Sequence, residues 1–347
     1  MSILQPDRSK TTSKLIDSNM SISIIGATGH LGHALVRHIN ELKLPVRVIC
    51  RASSNAEYFR SIGLDVKRAD LDDVKSLKNA LSDSEYVIHL ASKISVMPLA
   101  RKELTRINVQ GTKNVIEACN EAGVEKLIYV SSIQAISPGS GEKQIDEISE
   151  IDPYLTHDDY GFSKAEATLE VLQTAQSGKL KTSVLCPTGI IGPHDPGSSQ
   201  IGKFLKVHIK YGTHAFVSGA YDFVDVRDVS IAVFNSITMG ANGQHYLLSG
   251  SKVSVKEFLE YVCSLTNKKT PIIRIPNSVA LLAGQTNGWM NKLIGRETYF
   301  TASSLRTLWS NSNISSRLAE KDLNFRSRSW QHSIKDQLND LTKSSYP

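Results

Sequence analysis

The sequence predicts an α/β fold in which a doubly wound parallel sheet is followed by a smaller C-terminal α+β lobe. From residue 21 to residue 187, short β-branched runs alternate with amphipathic helical patterns, as in βαβ units with helices on both faces of a sheet. Near residue 188 the pattern changes to the Gly- and Pro-rich stretch "TGIIGPHDPGSSQIG", followed by mixed helices and short strands to residue 343. We therefore expect a sheet domain over residues 20–187 and a lobe over residues 188–347, with some segments returning to the sheet.

Each element follows from its own pattern. The strand runs are rich in β-branched residues, and the helical runs place apolar residues three and four positions apart. In chain order the strand runs are "SISII", "VRVIC", "YVIHLA", "KLIYVSS" and "TSVLCP", and the helical runs are "HALVRHINEL", "VKSLKNAL", "GTKNVIEACNEAG" and the segment after Tyr160. Residues 1–19 lack the apolar core of a signal peptide and are expected to form a flexible tail. Met20 could also be the native start of translation.

Composition excludes several classes of protein. The chain has 347 residues, of which 40% are hydrophobic and 21% charged, as in ordinary globular proteins. Its net charge of +6 comes from basic residues scattered among 34 acidic ones, so nothing indicates nucleic-acid binding. No apolar run reaches the roughly 18 residues of a membrane helix. The four cysteines form neither a CxxC pair nor a metal-ligand pattern, so we expect no disulfide, no metal site and a cytoplasmic location.

A glycine triplet follows the first strand run. "SISIIGATGHLGHALVRHI" places Gly26, Gly29 and Gly32 between a strand pattern and a helical pattern. Glycine at these positions permits a tight turn, a close approach to a diphosphate and close packing of the helix on the strand. The spacing is GxxGxxG and not GxGxxG, but its position at the front of a βαβαβ series favours a Rossmann-type dinucleotide site over a plain turn.

The end of the second strand favours NADP over NAD. An acidic residue about 20 positions beyond the glycines would hydrogen bond to the ribose of NAD, and here the position holds Arg51. A guanidinium followed by the hydroxyls of Ser53 and Ser54 can bind a 2′-phosphate. NAD(H) stays possible, because Arg51 can also be a solvated residue at the end of a strand.

Four further residues are candidates for cofactor contacts. "RADLDD" offers Asp70 and Leu71 beside the expected place of the adenine ring, and "VIHLAS" brings the small residues Ala91 and Ser92 close to the cofactor. Each also has a purely structural interpretation, such as a helix N-cap for Asp70 or strand packing for Ala91.

The stretch "DDYGFSK" carries the candidate catalytic pair. On a helix, Tyr160 and Lys164 share one face, with side chains about 6 Å apart. Tyrosine can donate a proton to a carbonyl oxygen as hydride reaches the carbon, and a neighbouring ammonium would lower its pKa for the reverse step. Lys164 can also bind the nicotinamide ribose. Ser132, at the end of "LIYVSS", can stabilise the developing alkoxide, although a strand-end cap is the alternative.

These motifs resemble the extended short-chain dehydrogenases/reductases, and most of all their dihydroflavonol 4-reductase and 3β-hydroxysteroid dehydrogenase branch. The resemblance covers about residues 20–343 and includes "GATGHLG", "RADLDD", "VIHLAS", "INVQGTKNVIEAC", "YGFSK", "CPTGIIGP" and "FVDVRDV". It implies an NADP-binding sheet domain, a substrate-binding lobe and a possible homodimer. Asn108 matches a family residue that fixes the local backbone, and Asn324 replaces a glycine at a helix end.

The resemblance also assigns site residues. It implies Ser132, Tyr160 and Lys164 as the catalytic triad and Arg51 as the 2′-phosphate ligand. Pro187 and Thr188 would contact the nicotinamide amide. The remaining implied ligands form the diphosphate loop and are Gly26, Thr28, Gly29, His30, Leu31 and Gly32.

The predicted activity is the NADPH-dependent reduction of a ketone or aldehyde, or oxidation of the matching alcohol. A nucleotide-sugar epimerase or dehydratase is the first alternative, although the dehydratase needs acids where this chain has Ile133 and Gln134, and such enzymes commonly use NAD. A non-catalytic NADP-binding redox sensor is the second, although such relatives typically lose the tyrosine and the lysine. The substrate is not predicted. Aromatic residues that could cover an apolar substrate, or equally form the lobe core, are Phe204, Tyr211, Phe216, Tyr221 and Phe223.

Overall fold

The computed structural model describes residues 20–95, 101–138, 143–196, 199–270, 273–293, 301–310 and 312–343, with the side chains of 287–293 and 343 left aside. The predicted tail, residues 1–19, lies outside the described residues. Within the described ranges no helix is both long enough and apolar enough to cross a lipid bilayer.

Seven strands form the central sheet, which is parallel, as predicted. They are β1 (Ile22–Ile25), β2 (Val46–Cys50), β3 (Asp65–Arg68), β4 (Tyr86–His89), β5 (Lys126–Val130), β6 (Lys181–Pro187) and β10 (Gln244–Leu248). Across the sheet they run β3, β2, β1, β4, β5, β6, β10, and every neighbouring pair is parallel. β2 and β3 lie on one side of β1, and β4 and the later strands lie on its other side. The switch point between β1 and β4 therefore marks the expected ligand crevice.

Five further strands belong to two small sheets. A three-stranded sheet has the order β11 (Ser251–Ser254), β9 (Ala220–Asp225), β7 (Gly189–Ile191), with β11 antiparallel to β9 and β7 parallel to it. β12 (Ile273–Ile275) pairs in parallel with β8 (Ala215–Val217). These strands lie in the region that the sequence predicts as an α+β lobe.

Thirteen α-helices are present in the described ranges. Those before residue 188 are α1 (His30–Glu41), α2 (Glu57–Ser61), α3 (Val74–Ala80), α4 (Arg101–Leu104), α5 (Gly111–Ala122) and α6 (Asp159–Gln176). The later ones are α7 (Gln200–Tyr211), α8 (Val226–Asn235), α9 (Val255–Thr266), α10 (Asn277–Leu293), α11 (Ala302–Trp309), α12 (Arg317–Leu323) and α13 (Trp330–Lys343). A π-helical segment, Thr105–Gln110, joins α4 to α5, and short 3₁₀ turns cover Ile133–Ala135 and Pro153–Leu155.

Helices cover both faces of the central sheet. α1, α8 and α12 bury apolar side chains on one face, for example Leu35, Val229 and Leu323, and all three are fully buried. α3 and α5 pack on the other face with side chains such as Leu77 and Val115. Because both faces are covered, the inner strands are buried on both sides, as "ISII" of β1 shows with four buried residues, whereas the edge strand β3, "DVKR", alternates between exposed and half-buried residues.

Segments after residue 188 return to the central sheet. β10 extends the sheet beyond β6, with Gln244 opposite Ser183 and Leu248 opposite Pro187. α12 is followed by its C-cap, Asn324, which has the left-handed conformation, with φ +53°. Glycine adopts this conformation easily at a helix end, and asparagine also tolerates it. The side-chain amide of Asn235, at the end of α8, donates to the Leu323 carbonyl oxygen at 2.8 Å, which ties the two helices together.

Candidate active site

The glycine loop lies at the switch point, directly after β1. Gly26 has φ +91° and approaches β4 so closely that a Cβ atom would lie 2.5 Å from the Ala91 nitrogen. Gly32 packs α1 on the loop, because a Cβ atom there would lie 2.5 Å from the Ala27 backbone. Gly29 differs, since the nearest atom to its added Cβ would be 3.7 Å away. The fold itself needs Gly26 and Gly32, whereas Gly29 keeps open the space that a diphosphate would fill.

The N-terminus of α1 faces this open space. Its N-cap, Gly29, has no side chain to accept from the first amide groups of the helix, so the amides at His30 and Leu31 have no side-chain cap. The side chain of His30 makes contacts elsewhere. Its Nε2 atom lies 3.1 Å and 3.0 Å from the carbonyl oxygens of Gly192 and Pro193, which attach α1 to the loop after β7. Thr28 lies half-buried before the helix.

At the end of β2, Arg51 is exposed and its guanidinium group has no acidic partner among the described residues. Its carbonyl oxygen accepts from Nη1 of Arg68, at the end of β3, at 2.5 Å. The same Nη1 atom donates to the Ser54 carbonyl oxygen at 2.9 Å. Sequence reasoning missed Arg68, which organises the loop that carries the predicted 2′-phosphate ligands.

Asp70 and Leu71 occupy the loop after β3. The Asp70 carboxylate accepts from the Asp72 amide at 3.0 Å and is exposed. The N-cap of α3 is Asp73 and not Asp70, so the structural alternative for Asp70 is wrong. Leu71 packs against Gly111 of α5, where an added Cβ would lie 3.1 Å from its Cδ1 atom. Both residues follow β3, which is separated from β1 by β2 in the sheet.

A buried asparagine fixes the segment after β4. Asn108, in the π-helical segment, accepts from the Lys93 amide at 2.7 Å and donates to the Lys93 carbonyl oxygen and to Oγ of Ser163, both at 2.9 Å. These contacts fix the backbone next to Ala91 and Ser92 and agree with the structural role expected for Asn108. The Lys93 amine itself binds Glu103 at 2.7 Å and is partly exposed.

Tyr160 and Ser132 meet at the carboxyl end of β5. Asp158 caps α6 through the Gly161 amide at 2.8 Å, which places Tyr160 in the first turn. Gly161 permits this approach, because a Cβ atom there would lie 2.8 Å from the Gln134 carbonyl oxygen. Ser132 accepts from the Gln134 amide at 3.2 Å, so it caps the 3₁₀ turn and also reaches Tyr160.

Tyr160 is buried, so the pair is not part of an exposed helix surface. Burial raises the pKa of the Tyr160 hydroxyl above its ordinary value, and hydrogen bonds with Ser132 and Ser92 lower it by less. The hydroxyl is therefore protonated at neutral pH, as a proton donor must be.

Lys164 lies one turn further along α6 and is also fully buried. Its Nζ atom donates to the Tyr129 hydroxyl at 2.7 Å and to the Val130 carbonyl oxygen at 2.8 Å. Burial lowers the pKa of Lys164 to about 7. The sequence predicts that this ammonium lowers the pKa of Tyr160, and in this structure it binds a different tyrosine. Tyr129 is a site residue that sequence reasoning missed, since "KLIYVSS" predicts only a strand.

A small cleft of about 50 Å³ lies near Tyr160, because Gln134 and Tyr221 in its wall are neighbours of Gly161 and Tyr160. Thr188, directly after β6, lies in its wall, and its amide donates to the Leu248 carbonyl oxygen at 3.0 Å, while Pro187 is the last residue of β6. Of the five predicted aromatic residues, Tyr221 lines the cleft, Phe204, Phe216 and Phe223 pack in the lobe core, and Tyr211 is exposed. Lining residues that sequence reasoning did not single out include Ile136, Ile145, His157, Asp222, Thr307 and Ser310.

Asp222 is buried and lies in the wall of this cleft. It accepts from Oγ of Ser249 at 3.0 Å and from the Gly250 amide at 2.9 Å. Burial raises the pKa of Asp222, and its hydrogen bonds oppose that rise. The cleft therefore combines an apolar wall with a few fixed polar groups, as small-molecule sites do.

Comparison with known families decides the identity of the fold and its chemistry. The family model described as "3-beta hydroxysteroid dehydrogenase/isomerase family" matches residues 23–239, from β1 through α8. The chain belongs to this family. Membership in the 3-beta hydroxysteroid dehydrogenase/isomerase family confirms the resemblance to extended short-chain dehydrogenases/reductases. It identifies the protein as an oxidoreductase that acts on CH–OH groups.

Individual relatives agree with the family. Sterol demethylase protein B of Methylococcus capsulatus is 30% identical over 259 residues, which cover 74% of this chain and 78% of that protein. A putative dihydroflavonol 4-reductase of Synechocystis sp. is 28% identical over 275 residues, 78% of each chain. The structure of Thermus thermophilus UDP-glucose 4-epimerase with NAD has a TM-score of 0.75 at 20% identity and covers 94% of this chain and 100% of that chain.

The family match does not reach the whole cleft. It ends at residue 239, whereas Thr307, Ser310 and Ile314 line the cleft from the C-terminal part of the chain. Family membership therefore identifies the reaction class but does not name the substrate.

Proposed function

We propose that this member of the 3-beta hydroxysteroid dehydrogenase/isomerase family is an NADPH-dependent carbonyl reductase and alcohol dehydrogenase. The observation that carries the proposal is the buried Tyr160 hydroxyl, held by Ser132 beside a cleft that opens to the C-terminal lobe. A protonated hydroxyl and a second hydroxyl at one point are what a carbonyl oxygen needs as it takes up negative charge.

The described residues fit a dinucleotide. The open space at Gly29 and the amides at His30 and Leu31 would hold the diphosphate, and Arg51 with Ser53 and Ser54 would hold a 2′-phosphate. When bound, NADPH supplies the hydride for carbonyl reduction. The absence of an acidic residue at the end of β2 supports NADP over NAD.

Each residue of the proposed triad has one role. Tyr160 donates the proton to the substrate oxygen, and its burial keeps the hydroxyl protonated until it does so. Ser132 donates a hydrogen bond to the same oxygen. Lys164, which donates to Tyr129 and Val130, follows Tyr160 by one helical turn. Its positive charge favours the tyrosinate that forms at Tyr160.

The substrate lobe would supply selectivity. We propose that residues 188–347 help to shape the cleft. Tyr221 and the isoleucines of the cleft wall would pack on an apolar substrate, and Asp222 would lie at the polar end of that substrate. Since the named relatives are a sterol demethylase protein and a putative dihydroflavonol reductase, polycyclic ketones and alcohols are the first substrates to test. A homodimer and a cytoplasmic location stay predictions, which light scattering and cell fractionation would test.

NADPH oxidation by the purified protein tests the proposal. The panel holds ketosteroids, dihydroflavonols, simple ketones and aldehydes, and UDP- and dTDP-sugars, with NADH in parallel. Tyr160→Phe is the control. Turnover with NADPH that this variant lacks supports the reductase. Epimerisation of a nucleotide sugar without net NADPH consumption identifies an epimerase, and cofactor binding without any reaction identifies a redox sensor.

A further inference from the structure

We propose that Arg68 is a specificity-determining residue that selects NADP, by binding the 2′-phosphate with the edge of its guanidinium group that the protein leaves unpaired. The inference rests on the proposed use of NADPH. It adds a second cation, from β3, to Arg51, which follows β2 in the sequence.

One nitrogen of Arg68 is committed to the loop after β2. Nη1 donates to the carbonyl oxygens of Arg51 and Ser54 and lies 3.1 Å from Sγ of Cys50. The guanidinium group is therefore held against residues 50–54, where the 2′-phosphate ligands are expected. It is half-buried, so its position is fixed and not free like that of an exposed side chain.

The other edge of the same guanidinium group has no acceptor in the described part of the chain. Nε and Nη2 point in parallel, and this edge is the one that matches two oxygens of a carboxylate or phosphate. Two other half-buried arginines show how this protein normally fills it. Arg227 donates through Nε and Nη2 to Asp225 at 2.9 and 2.8 Å, and Arg328 does so to Asp228 at 3.0 and 2.6 Å.

The surroundings of Arg68 favour an anion. The closest acid on β3, Asp65, lies at the opposite end of the strand and pairs with Arg47 and Lys67. Among described residues, no carboxylate forms an ion pair with Arg51, Arg60 or Arg68. The charges of Arg68 and Arg60 also lower the pKa of the Cys50 thiol against the larger effect of burial, which places both near the end of β2. A dianionic phosphate monoester supplies the missing acceptors.

Arg47 provides a matched control. It lies at the other end of β2, where its Nη1 atom donates to the carbonyl oxygens of Ala80 and Ser82 at the end of α3. Its Nε atom donates to the Asp65 carboxylate at 2.7 Å, so this edge of the Arg47 guanidinium group already has an acidic partner. Arg47→Met removes a comparable loop contact far from the expected cofactor.

Calorimetric dissociation constants for NADPH, NADH and 2′,5′-ADP, measured on the full-length protein, test the inference without any substrate. Arg68→Met is expected to weaken NADPH and 2′,5′-ADP about ten- to a hundredfold, the loss of a bidentate charge-assisted contact, and to leave NADH within about twofold. Arg47→Met should leave the ratio of the NADPH and NADH constants unchanged.

The outcomes separate the two proposals. If the unmodified protein binds NADH as tightly as NADPH, the proposed use of NADP fails. If it prefers NADPH and Arg51→Met abolishes the preference while Arg68→Met retains it, or weakens both cofactors equally, only the role of Arg68 is overturned. Should Arg68→Met fail to fold, Arg68→Lys keeps a donor for the loop carbonyls but lacks the paired edge, and it is expected to lose most of the preference.

Discussion

The amine of Lys164 lies 2.7 Å from the hydroxyl of Tyr129 and 4.3 Å from the centre of its ring, inside the sheet domain and out of solvent. Tyr129 also hydrogen bonds to Thr112, whose hydroxyl donates to the Asn108 carbonyl oxygen at 2.6 Å. A chain of hydrogen bonds thus leads from the candidate catalytic lysine to the π-helical segment. No acidic residue takes part in it.

Tyr129→Phe should shift the pH dependence of the reaction. Removing the hydroxyl takes away one of the two protein acceptors of the Lys164 ammonium, so the pKa of Lys164 falls further below about 7. The pH profile of kcat should then move to lower pH. Tyr246→Phe is the control, because that buried hydroxyl accepts from the Ala241 amide away from the site. Equal profiles for both variants would show that Tyr129 is only a packing residue.

Lys164→Met should change how stability depends on pH. The pKa of Lys164 is lowered by burial from 10.5 to about 7, so between these pH values the unfolded chain binds more protons than the native protein. The contribution of Lys164 to stability therefore rises with pH across this window, by a few kcal/mol at most. The variant should lack this rise when free energies of unfolding are measured in urea at pH 7 and pH 10. Parallel curves for both proteins would contradict the burial of a charged lysine.

Tyr160→Phe and Ser132→Ala should separate chemistry from binding. The first removes the proton donor and is expected to lower kcat about a hundred- to ten-thousandfold, and the second about ten- to a thousandfold. Both should bind NADPH within about twofold of the unmodified protein, since neither residue belongs to the diphosphate loop. Rapid-mixing kinetics and calorimetry measure the two quantities. A large loss of NADPH affinity in both variants would place these side chains in the cofactor site and remove them from the chemistry.

Gly29→Ala and Gly32→Ala should have opposite effects. At Gly29 the added methyl group meets no protein atom closer than 3.7 Å, so the melting temperature should hardly change while NADPH affinity falls at least about tenfold. At Gly32 the methyl group would overlap the Ala27 backbone at 2.5 Å, so unfolding should become easier by about 2 kcal/mol or more. Thermal unfolding measures the change in stability, and calorimetric titration measures the affinity for NADPH. Normal cofactor binding by Gly29→Ala would exclude this loop as the diphosphate site.

Asp228→Asn should destabilise the fold without acting on the cofactor. Arg328 donates to the buried Asp228 carboxylate through Nε, Nη2 and its backbone amide, so the substitution removes the closer of two carboxylates beside a half-buried guanidinium and leaves only Asp225, at 3.8 Å. We expect a loss of about 3 kcal/mol in the free energy of unfolding. Glu41→Gln, which breaks the exposed pair with Arg37, should cost less than about 0.5 kcal/mol. Similar losses in both variants would contradict the importance of burial here.

Much of the fold could be predicted because its signals are local. The alternation of strand and helix runs fixes the parallel sheet, and the order of glycines between β1 and α1 fixes the place of the loop. The position of Tyr160 and Lys164 on one helix also follows from their spacing. These features depend on residues that are close together in the chain.

The missed residues depend on contacts between distant segments. Tyr129 lies 35 positions before Lys164, and Arg68 lies 17 positions after Arg51, so no local pattern links them. The five lobe aromatics look alike in the sequence, yet in the structure Tyr221 reaches the wall of the cleft, whereas Phe223, two positions later on β9, is buried in the lobe core. The Lys164 amine binds the Tyr129 hydroxyl on β5, a contact that helical spacing alone does not reveal.

The return of β10 to the central sheet limits how this protein can be divided. A fragment that stops after β6 would leave that strand as a bare edge and would uncover the face of α1 on which α8 packs. The lobe that shapes the cleft cannot therefore be exchanged for that of a relative by a single cut at residue 188. Engineering a new substrate preference has to proceed by substituting the cleft wall in place, with the interleaved helices and the last sheet strand kept as they are.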